Sequence, residues 1–251
     1  PWSNIGYWGD HQIVYLWRLV KPAQQYQPRQ LDEWIDRRLF SSAAVPYRIR
    51  SFEEILRNPY DSIEFDTSAA RDAEKRVAAD GADGKLVYRD GRPYLVTLTE
   101  KLLVTVLAKL SNYVPDGGIW MNTQRPEWND ANNALAGWGL SMVTLAYLRG
   151  FLDFCGELFT KEGGRDREDE RTVTVSRGVV RFLRDTSTVF QSIERGGAHV
   201  SAADRLAIMT ALGSAGTTHR CSVYDGTVYD ALETVSVAEI RRALKAFILE
   251  L

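Results

Sequence analysis

The sequence predicts a mainly α-helical fold in which layers of helices form an (α/α) toroid of the six-hairpin type. Two observations lead to this prediction. Apolar residues recur at spacings of three and four along most of the 251 residues, as they do on one face of a helix. One helical pattern follows another with little strand between them, which favours helices packed on helices. We therefore expect one helical segment over residues 1–251, with one small β-hairpin insertion.

Four helices are predicted before the hairpin. The first starts at Gly9-Asp10, and we expect Pro22 to end it, because proline lacks the helical hydrogen-bond donor. Ser51 is the expected N-cap of the third, since serine is favoured at that position. The predicted ranges are 9–21, 30–40, 52–58 and 68–80, with irregular backbone at 60–67.

The β-hairpin is predicted at residues 85–97. Two apolar runs flank Asp90-Gly91, a pair typical of a type I′ turn. Pro93 implies an edge strand, because it cannot donate to a ladder. We interpret this hairpin as an insertion into the helical body.

The second half of the chain predicts further helices. Thr99 is the expected N-cap of a helix that ends by Pro115, and a long helix is expected from about Ala131 to Phe159. Gly137 and Gly139 interrupt that pattern and are expected to allow close approach of a neighbouring backbone. The remaining predicted helices span 175–194, 201–212 and 236–251.

The segment Gly118 to Leu135 carries the strongest functional pattern. Glu127 and Asp130 flank Trp128-Asn129, so two carboxylates stand beside an aromatic ring and an amide. A carboxyl group next to tryptophan in a partly dry pocket has a raised pKa, which suits a general acid. Asp130 is therefore a candidate proton donor for breaking a glycosidic bond. The alternative is that Asn129 or Asp130 only caps the following helix.

Polar residues near this segment are candidates for holding a sugar. Gln124 and Arg125 precede the acid and offer hydrogen bonds to hydroxyl groups, although Arg125 could equally pair with Glu127. At the start of the first helix, Trp8, Asp10 and His11 gather an aromatic ring, a carboxylate and an imidazole. For Asp10 and His11 the alternatives are a helix cap and a hydrogen-bonded packing residue.

A second candidate site is the Gly/Ser/Thr-rich stretch 213–229. Its backbone amides, together with His219 and Arg220, are expected to bind an anion if the stretch is a loop. The alternative is a simple connection between helices.

The two short motifs resemble those of cellobiose and chitobiose phosphorylases and their relatives. Asp10-His11 opens one helix, and Trp128-Asn129-Asp130 follows 130 − 10 = 120 residues later. That family consists of inverting glycoside phosphorylases with an (α/α)6-barrel catalytic domain. The resemblance implies that Asp130 is the general acid, that Trp128 contacts the sugar and that Asp10 holds its hydroxyls. The family's phosphate ligands lie beyond residue 251, so we expect a partial barrel from a longer polypeptide.

Two enzymatic mechanisms share the acid step. In a phosphorylase, inorganic phosphate is the co-substrate that attacks the anomeric carbon, and no other cofactor is expected. In an inverting hydrolase, a second carboxylate activates water. Glu194 and Asp225 are the weak candidates for that base. An alternative of another class is a helical domain that binds carbohydrate, or serves as a scaffold, without turnover.

Composition excludes several classes of partner. A net charge of −2 gives no electrostatic basis for binding nucleic acid or a membrane surface. Two cysteines do not form a disulfide framework, so we expect a cytoplasmic protein. The sequence has no metal-ligand cluster, nucleophile triad or phosphate loop of recognisable spacing. The expected partners are an oligosaccharide substrate, the rest of the polypeptide and, as an open possibility, further copies of the chain.

Overall fold

The computed structural model describes residues 9–122, 137–161, 171–193 and 200–251, with side chains described from Ile13 onward and up to Thr160 in the second range. The described chain is mainly α-helical, as predicted, with small antiparallel sheets. The helices are α1 Gly9–Tyr26, α2 Pro28–Asp36, α3 Phe52–Arg57, α4 Thr67–Asp80, α5 Leu98–Leu110, α6 Met142–Lys161, α7 Arg177–Ser192, α8 Ala202–Tyr224 and α9 Val237–Glu250. The strands are β1 Tyr47–Ile49, β2 Ile63–Phe65, β3 Tyr88–Arg89, β4 Arg92–Pro93, β5 Tyr113–Val114, β6 Gly118–Trp120, β7 Leu140–Ser141, β8 Thr172–Ser176 and β9 Leu232–Ser236.

Helix α5 lies at the centre of the hydrophobic core. It packs against α1, α2, α6, α7 and α8, and α9 packs in turn against α6 and α7. Because neighbours surround α5, apolar residues cover most of its circumference rather than one stripe. The fully buried large residues of the core include Leu102, Leu103, Leu107, Leu110, Phe151, Phe190 and Phe247.

Strands β8 and β9 form an antiparallel ladder that the sequence interpretation missed. Each strand runs directly into a helix, β8 into α7 and β9 into α9. Val173 and Val175 are buried while Thr172 and Thr174 are exposed, which is the alternation of a half-buried strand. The helix predicted at 175–194 overlaps the end of β8, because an alternation over only five residues is too short to identify a strand.

Several predicted helix ends were wrong in the N-terminal half. Helix α1 continues past Pro22, which is exposed, so the carbonyl that proline leaves unpaired can be solvated. Helix α2 ends at Asp36 rather than Phe40, because the amide groups of Leu39 and Phe40 donate to the Val96 carbonyl. The stretch predicted to be irregular contains β2, which pairs with β1. The Ser51 cap was predicted correctly, and Glu54 completes a capping box.

The N-cap of α5 is Thr97, not Thr99. The Thr97 hydroxyl accepts a hydrogen bond from the Glu100 amide. The buried Thr99 hydroxyl instead donates a hydrogen bond to the Ile35 carbonyl at 3.0 Å. Both threonines fit the N-cap preference. The contact between α5 and α2 decides which of them lies inside the helix.

The long helix predicted from about Ala131 to Phe159 is interrupted. Gly137 has a φ of +82°, outside the helical range, and Leu140–Ser141 forms β7 against β6. Helix α6 begins only at Met142. An added Cβ on Gly137 would lie 2.9 Å from the Pro59 carbonyl oxygen, so this glycine does serve close approach, but in a turn.

Helix α8 also corrects the sequence interpretation, since residues 213–224 continue it without a break. Gly213 faces the ring of Phe52, and an added Cβ on Gly216 would lie 2.7 Å from Ser111 Cβ. The glycines therefore permit close packing of α8 against α3 and the end of α5. The predicted loop of anion-binding amides was wrong, because the amides inside a helix are already bonded.

A hairpin lies within the predicted range 85–97. Strands β3 and β4 pair antiparallel, and Asp90 and Gly91 both have positive φ, at 52° and 75°, as a type I′ turn requires. Single bridges from Phe40 to Val96 and from Ala43 to Leu86 attach the two ends of this range to the preceding segment.

Candidate functional site

The predicted sugar site falls almost entirely outside the described residues. Asp130 lies there, together with Gln124, Arg125, Glu127, Trp128 and Asn129, because residues 123–136 are not described. Trp8 lies in the undescribed stretch 1–8. Asp10 and His11 are in the first turn of α1, but their side chains are outside the description. What the structure describes is the scaffold on both sides of the 123–136 segment.

The two ends of the 123–136 segment are joined by a short sheet. Strand β6 enters the segment and pairs with β7, which follows it. Beyond the ladder, the Met121 amide donates to the Gly139 carbonyl at 3.0 Å, and the Gly137 amide donates to the Met121 carbonyl at 2.6 Å. The indole nitrogen of Trp120 also donates to the Gly137 carbonyl, at 3.1 Å. Residues 121 and 137 are therefore held together at the base of the segment.

The residues at this base are buried and hydrogen-bonded. Asn122, the last described residue before the segment, is 6% exposed, and its side-chain amide donates to the Asn112 side-chain oxygen at 2.8 Å. Trp120 packs edge-on against Phe52 with ring centroids 5.9 Å apart. A base built in this way is rigid, because buried polar groups are satisfied and aromatic rings interlock.

An exposed aromatic pair stands next to the base. Tyr60 and Trp138 are 60% and 63% exposed, yet their rings touch edge-on with centroids 5.3 Å apart. The sequence interpretation assigned Trp138 to a buried helix stripe and treated Tyr60 as irregular. The Gly137-Trp138-Gly139 pattern could have indicated that Trp138 lies in a turn, since glycines on both sides of a residue favour a turn over a helix.

A cavity of about 260 Å³ lies between the start of α7 and the C-terminal part of α8. Thr227, Val228, Asp230 and Ala231 also line it. Its polar lining includes the side chains of Arg177, Arg181, Thr218, His219, Ser222 and Asp230. Of these, the sequence interpretation singled out only His219. Arg177 and Arg181 are four positions apart, and this spacing could have indicated that both arginines lie on one face of a helix.

His219 is the most perturbed group of this cavity. It is 9% exposed and stacks on Phe182 with ring centroids 4.6 Å apart. Burial lowers the pKa of His219 to about 4, a backbone hydrogen bond with Gly178 opposes the shift, and the charge of Arg220 adds to it. The ring is therefore neutral at pH 7. Its buried Nδ1 atom has no hydrogen-bond partner.

Of the two candidate bases for a hydrolase, the structure describes only Asp225. Asp225 accepts hydrogen bonds from the hydroxyl and the amide of Thr227, at 2.6 and 2.9 Å, and these bonds lower its pKa. This is the geometry of a turn at the end of α8. Glu194 lies outside the described residues.

Over the described part of the chain, no group of three or more His, Cys, Asp or Glu side chains is arranged to hold a metal ion. Among the helices described, none combines the length and apolar character needed to cross a membrane.

Comparison of the chain with models of known families and with curated proteins finds no match. The resemblance to glycoside phosphorylases therefore depends on the two short sequence motifs alone.

Proposed function

We propose that the chain is part of an (α/α) toroid enzyme that cleaves glycosidic bonds with inversion, specifically a glycoside phosphorylase with Asp130 as the general acid. The mainly helical architecture is compatible with such a barrel. The proposal places the protein in cytoplasmic carbohydrate metabolism, with an oligosaccharide as substrate.

The observation that carries the proposal is the anchored base of the 123–136 segment. Residues 121 and 137 are hydrogen-bonded to each other, so the segment with Trp128-Asn129-Asp130 starts and ends on a rigid sheet. Functional loops placed on a rigid scaffold are common in enzymes. The exposed Tyr60–Trp138 pair adds an aromatic surface beside this base, and the C–H faces of sugar rings pack well on aromatic rings.

Asp130 donates its proton to the glycosidic oxygen as the bond from that oxygen to the anomeric carbon breaks. An oxygen of inorganic phosphate forms the new bond from the opposite face, which gives a sugar 1-phosphate of inverted configuration. By the resemblance, Trp128 contacts the sugar in the cleavage site and Asp10 holds its hydroxyls. His11 and Trp8, beside Asp10, and Gln124, Arg125, Glu127 and Asn129, beside the acid, are proposed as further sugar contacts.

The alternative within the same class is an inverting hydrolase. Water would then need a carboxylate base about 6.5–9.5 Å from the acid. The turn hydrogen bonds of Asp225 make it a poor candidate for that base. Glu194, the other candidate, lies outside the described residues.

The test is product formation from a panel of β-linked oligosaccharides, with and without phosphate. Wild type is compared with Asp130→Asn and with Asp153→Asn, which removes an exposed carboxylate on α6. We expect phosphate-dependent sugar 1-phosphate from wild type and Asp153→Asn. We expect its loss in Asp130→Asn with little change in unfolding temperature, because asparagine can still cap a helix.

The other outcomes separate the remaining interpretations. Release of free sugar without phosphate would identify a hydrolase. Saturable sugar binding without turnover, weakened by Trp138→Ala, would identify a carbohydrate-binding domain instead. Equal activity of Asp130→Asn and Asp153→Asn would exclude Asp130 as the acid.

A further inference from the structure

The cavity between α7 and α8 is lined by two arginines and two aspartates, and both aspartates are already paired. Asp230 pairs with Arg89 at 2.7 Å, and Asp185 pairs with Arg181 at 3.5 Å, so each acid of the lining already faces a cation. The exposed Arg177 side chain has no ion-pair or hydrogen-bond partner within the described residues. Its guanidinium is therefore a cation without a matching anion there.

The start of α7 adds to this positive field. Ser176 is the N-cap residue, but its side chain makes no capping hydrogen bond. The hydroxyl donates to Glu100 instead, at 2.8 Å. The first amides of a helix carry partial positive charge, and Arg177 and Gly178, the first two residues of α7, both line the cavity. The Ser176 side chain does not cap this end, whereas the Arg177 amide donates to the Ala231 carbonyl at 2.9 Å and the Ser176 amide donates to Glu100.

His219 supplies an independent observation. It is about nine-tenths buried, it lines the cavity, and its Nδ1 atom has no hydrogen-bond partner. A buried polar atom without a partner is rare in a native protein and calls for an explanation such as a bound ligand. The hydroxyls of Thr218 and Ser222 line the same wall on α8.

We propose that this cavity binds a small oxyanion of the phosphate class. Arg177 and the uncapped start of α7 supply the charge, since arginine and helix N-termini are both suited to phosphate oxygens. The neutral His219 ring completes the site by accepting, at its unpartnered Nδ1 atom, a hydrogen bond from a P–OH group of the anion. This site follows from the cavity alone and does not depend on glycoside cleavage.

The test is calorimetric titration of the purified protein with inorganic phosphate at constant ionic strength, against chloride. We expect saturable binding to one site. Arg177→Gln should weaken it by about tenfold or more, because a charge-assisted hydrogen bond is lost. The matched control is Arg71→Gln, which removes an exposed arginine on α4, away from the cavity, and should leave the affinity unchanged. Equal affinities for these two variants, or no saturable binding to wild type, would overturn the proposal.

A second variant separates ligand binding from packing. His219→Phe keeps a ring against Phe182 but has no nitrogen, so it should stay folded and lose phosphate affinity by about tenfold. Undiminished phosphate binding by the folded variant would show that His219 is only a packing residue and would overturn its assigned role. Parallel titration with glycerol phosphate distinguishes the two sources of the group. Tighter binding of the ester indicates an organic phosphate, and tighter binding of inorganic phosphate indicates the free ion.

Discussion

Both carboxylate oxygens of Glu100 accept hydrogen bonds from Ser176, one from the backbone amide and one from the hydroxyl, each at 2.8 Å. Glu100 is on α5 and is 5% exposed, while Ser176 ends β8 and precedes α7. This pair fixes the start of α7 to the central helix. It also draws the Ser176 hydroxyl away from its capping position.

Glu100 should make the protein less stable as the pH rises from acid toward neutral. Burial raises the pKa of Glu100, and the Ser176 hydrogen bonds only partly oppose this. The folded state therefore holds this proton more tightly than the unfolded chain does. The resulting stability is present in full below the unfolded pKa of about 4.5 and is lost as the pH rises through the higher folded pKa.

Urea unfolding of wild type and Glu100→Gln across this pH range measures the effect. Glutamine does not titrate, and its oxygen and amide can still bond to the Ser176 amide and hydroxyl. The free energy of unfolding of wild type relative to this variant should therefore fall as the pH rises. Glu100→Ala leaves buried donors unpaired and should cost about 1–3 kcal/mol for each. A difference between wild type and Glu100→Gln that does not vary with pH would contradict the prediction.

His219 should give the opposite pH dependence. Burial depresses its pKa from 6.5 to about 4, so the unfolded chain takes up this proton first as the pH falls. The stability from the neutral ring is present above pH 6.5 and is lost between pH 6.5 and 4, by roughly 3 kcal/mol in total. His219→Phe should lack this loss. If wild type and the variant lose stability in parallel between pH 7 and 4, the ring is already solvated in the folded protein.

Two helical glycines should respond to alanine with opposite signs. In Gly213→Ala, the new methyl group overlaps the Phe52 ring, so we expect a destabilisation of about 1–3 kcal/mol. Gly156, on α6, has open space around its Cα, so Gly156→Ala should stabilise by about 0.5–1 kcal/mol through helix propensity. Thermal unfolding of both variants tests the pair. A stabilised Gly213→Ala would mean that α3 and α8 do not pack as described.

Local patterns predicted much of the fold. Local sequence patterns correctly indicated α3, α4, α5, α7 and α9, and the Ser51 cap was recognised from its residue type. Proline and glycine gave the wrong boundaries at Pro22 and Gly213. Whether proline ends a helix depends on whether the carbonyl that it leaves unpaired can be solvated. Whether glycine ends a helix depends on whether another element packs against the helix at that position.

The candidate sites were harder to predict from the sequence than the helices were. The Trp128-Asn129-Asp130 motif could be recognised because its residues are adjacent in sequence, although its geometry lies outside the described chain. The cavity could not be recognised in this way. Arg177 and His219 are 42 positions apart (219 − 177) and face one cavity only because α7 packs on α8. Similarly, Tyr60 meets Trp138 because Gly137 lets the chain turn closely against Pro59.

The sequence by itself determined the helical character of this protein, the Ser51 cap and the glycine-containing turn at Asp90-Gly91. Each of these depends on interactions between residues a few positions apart. The tertiary structure alone decided that residues 172–176 pair with residues 232–236, that Glu100 bonds to Ser176 and that His219 is buried and neutral. Those features depend on contacts between distant parts of the chain and on the exclusion of water, neither of which a local pattern encodes.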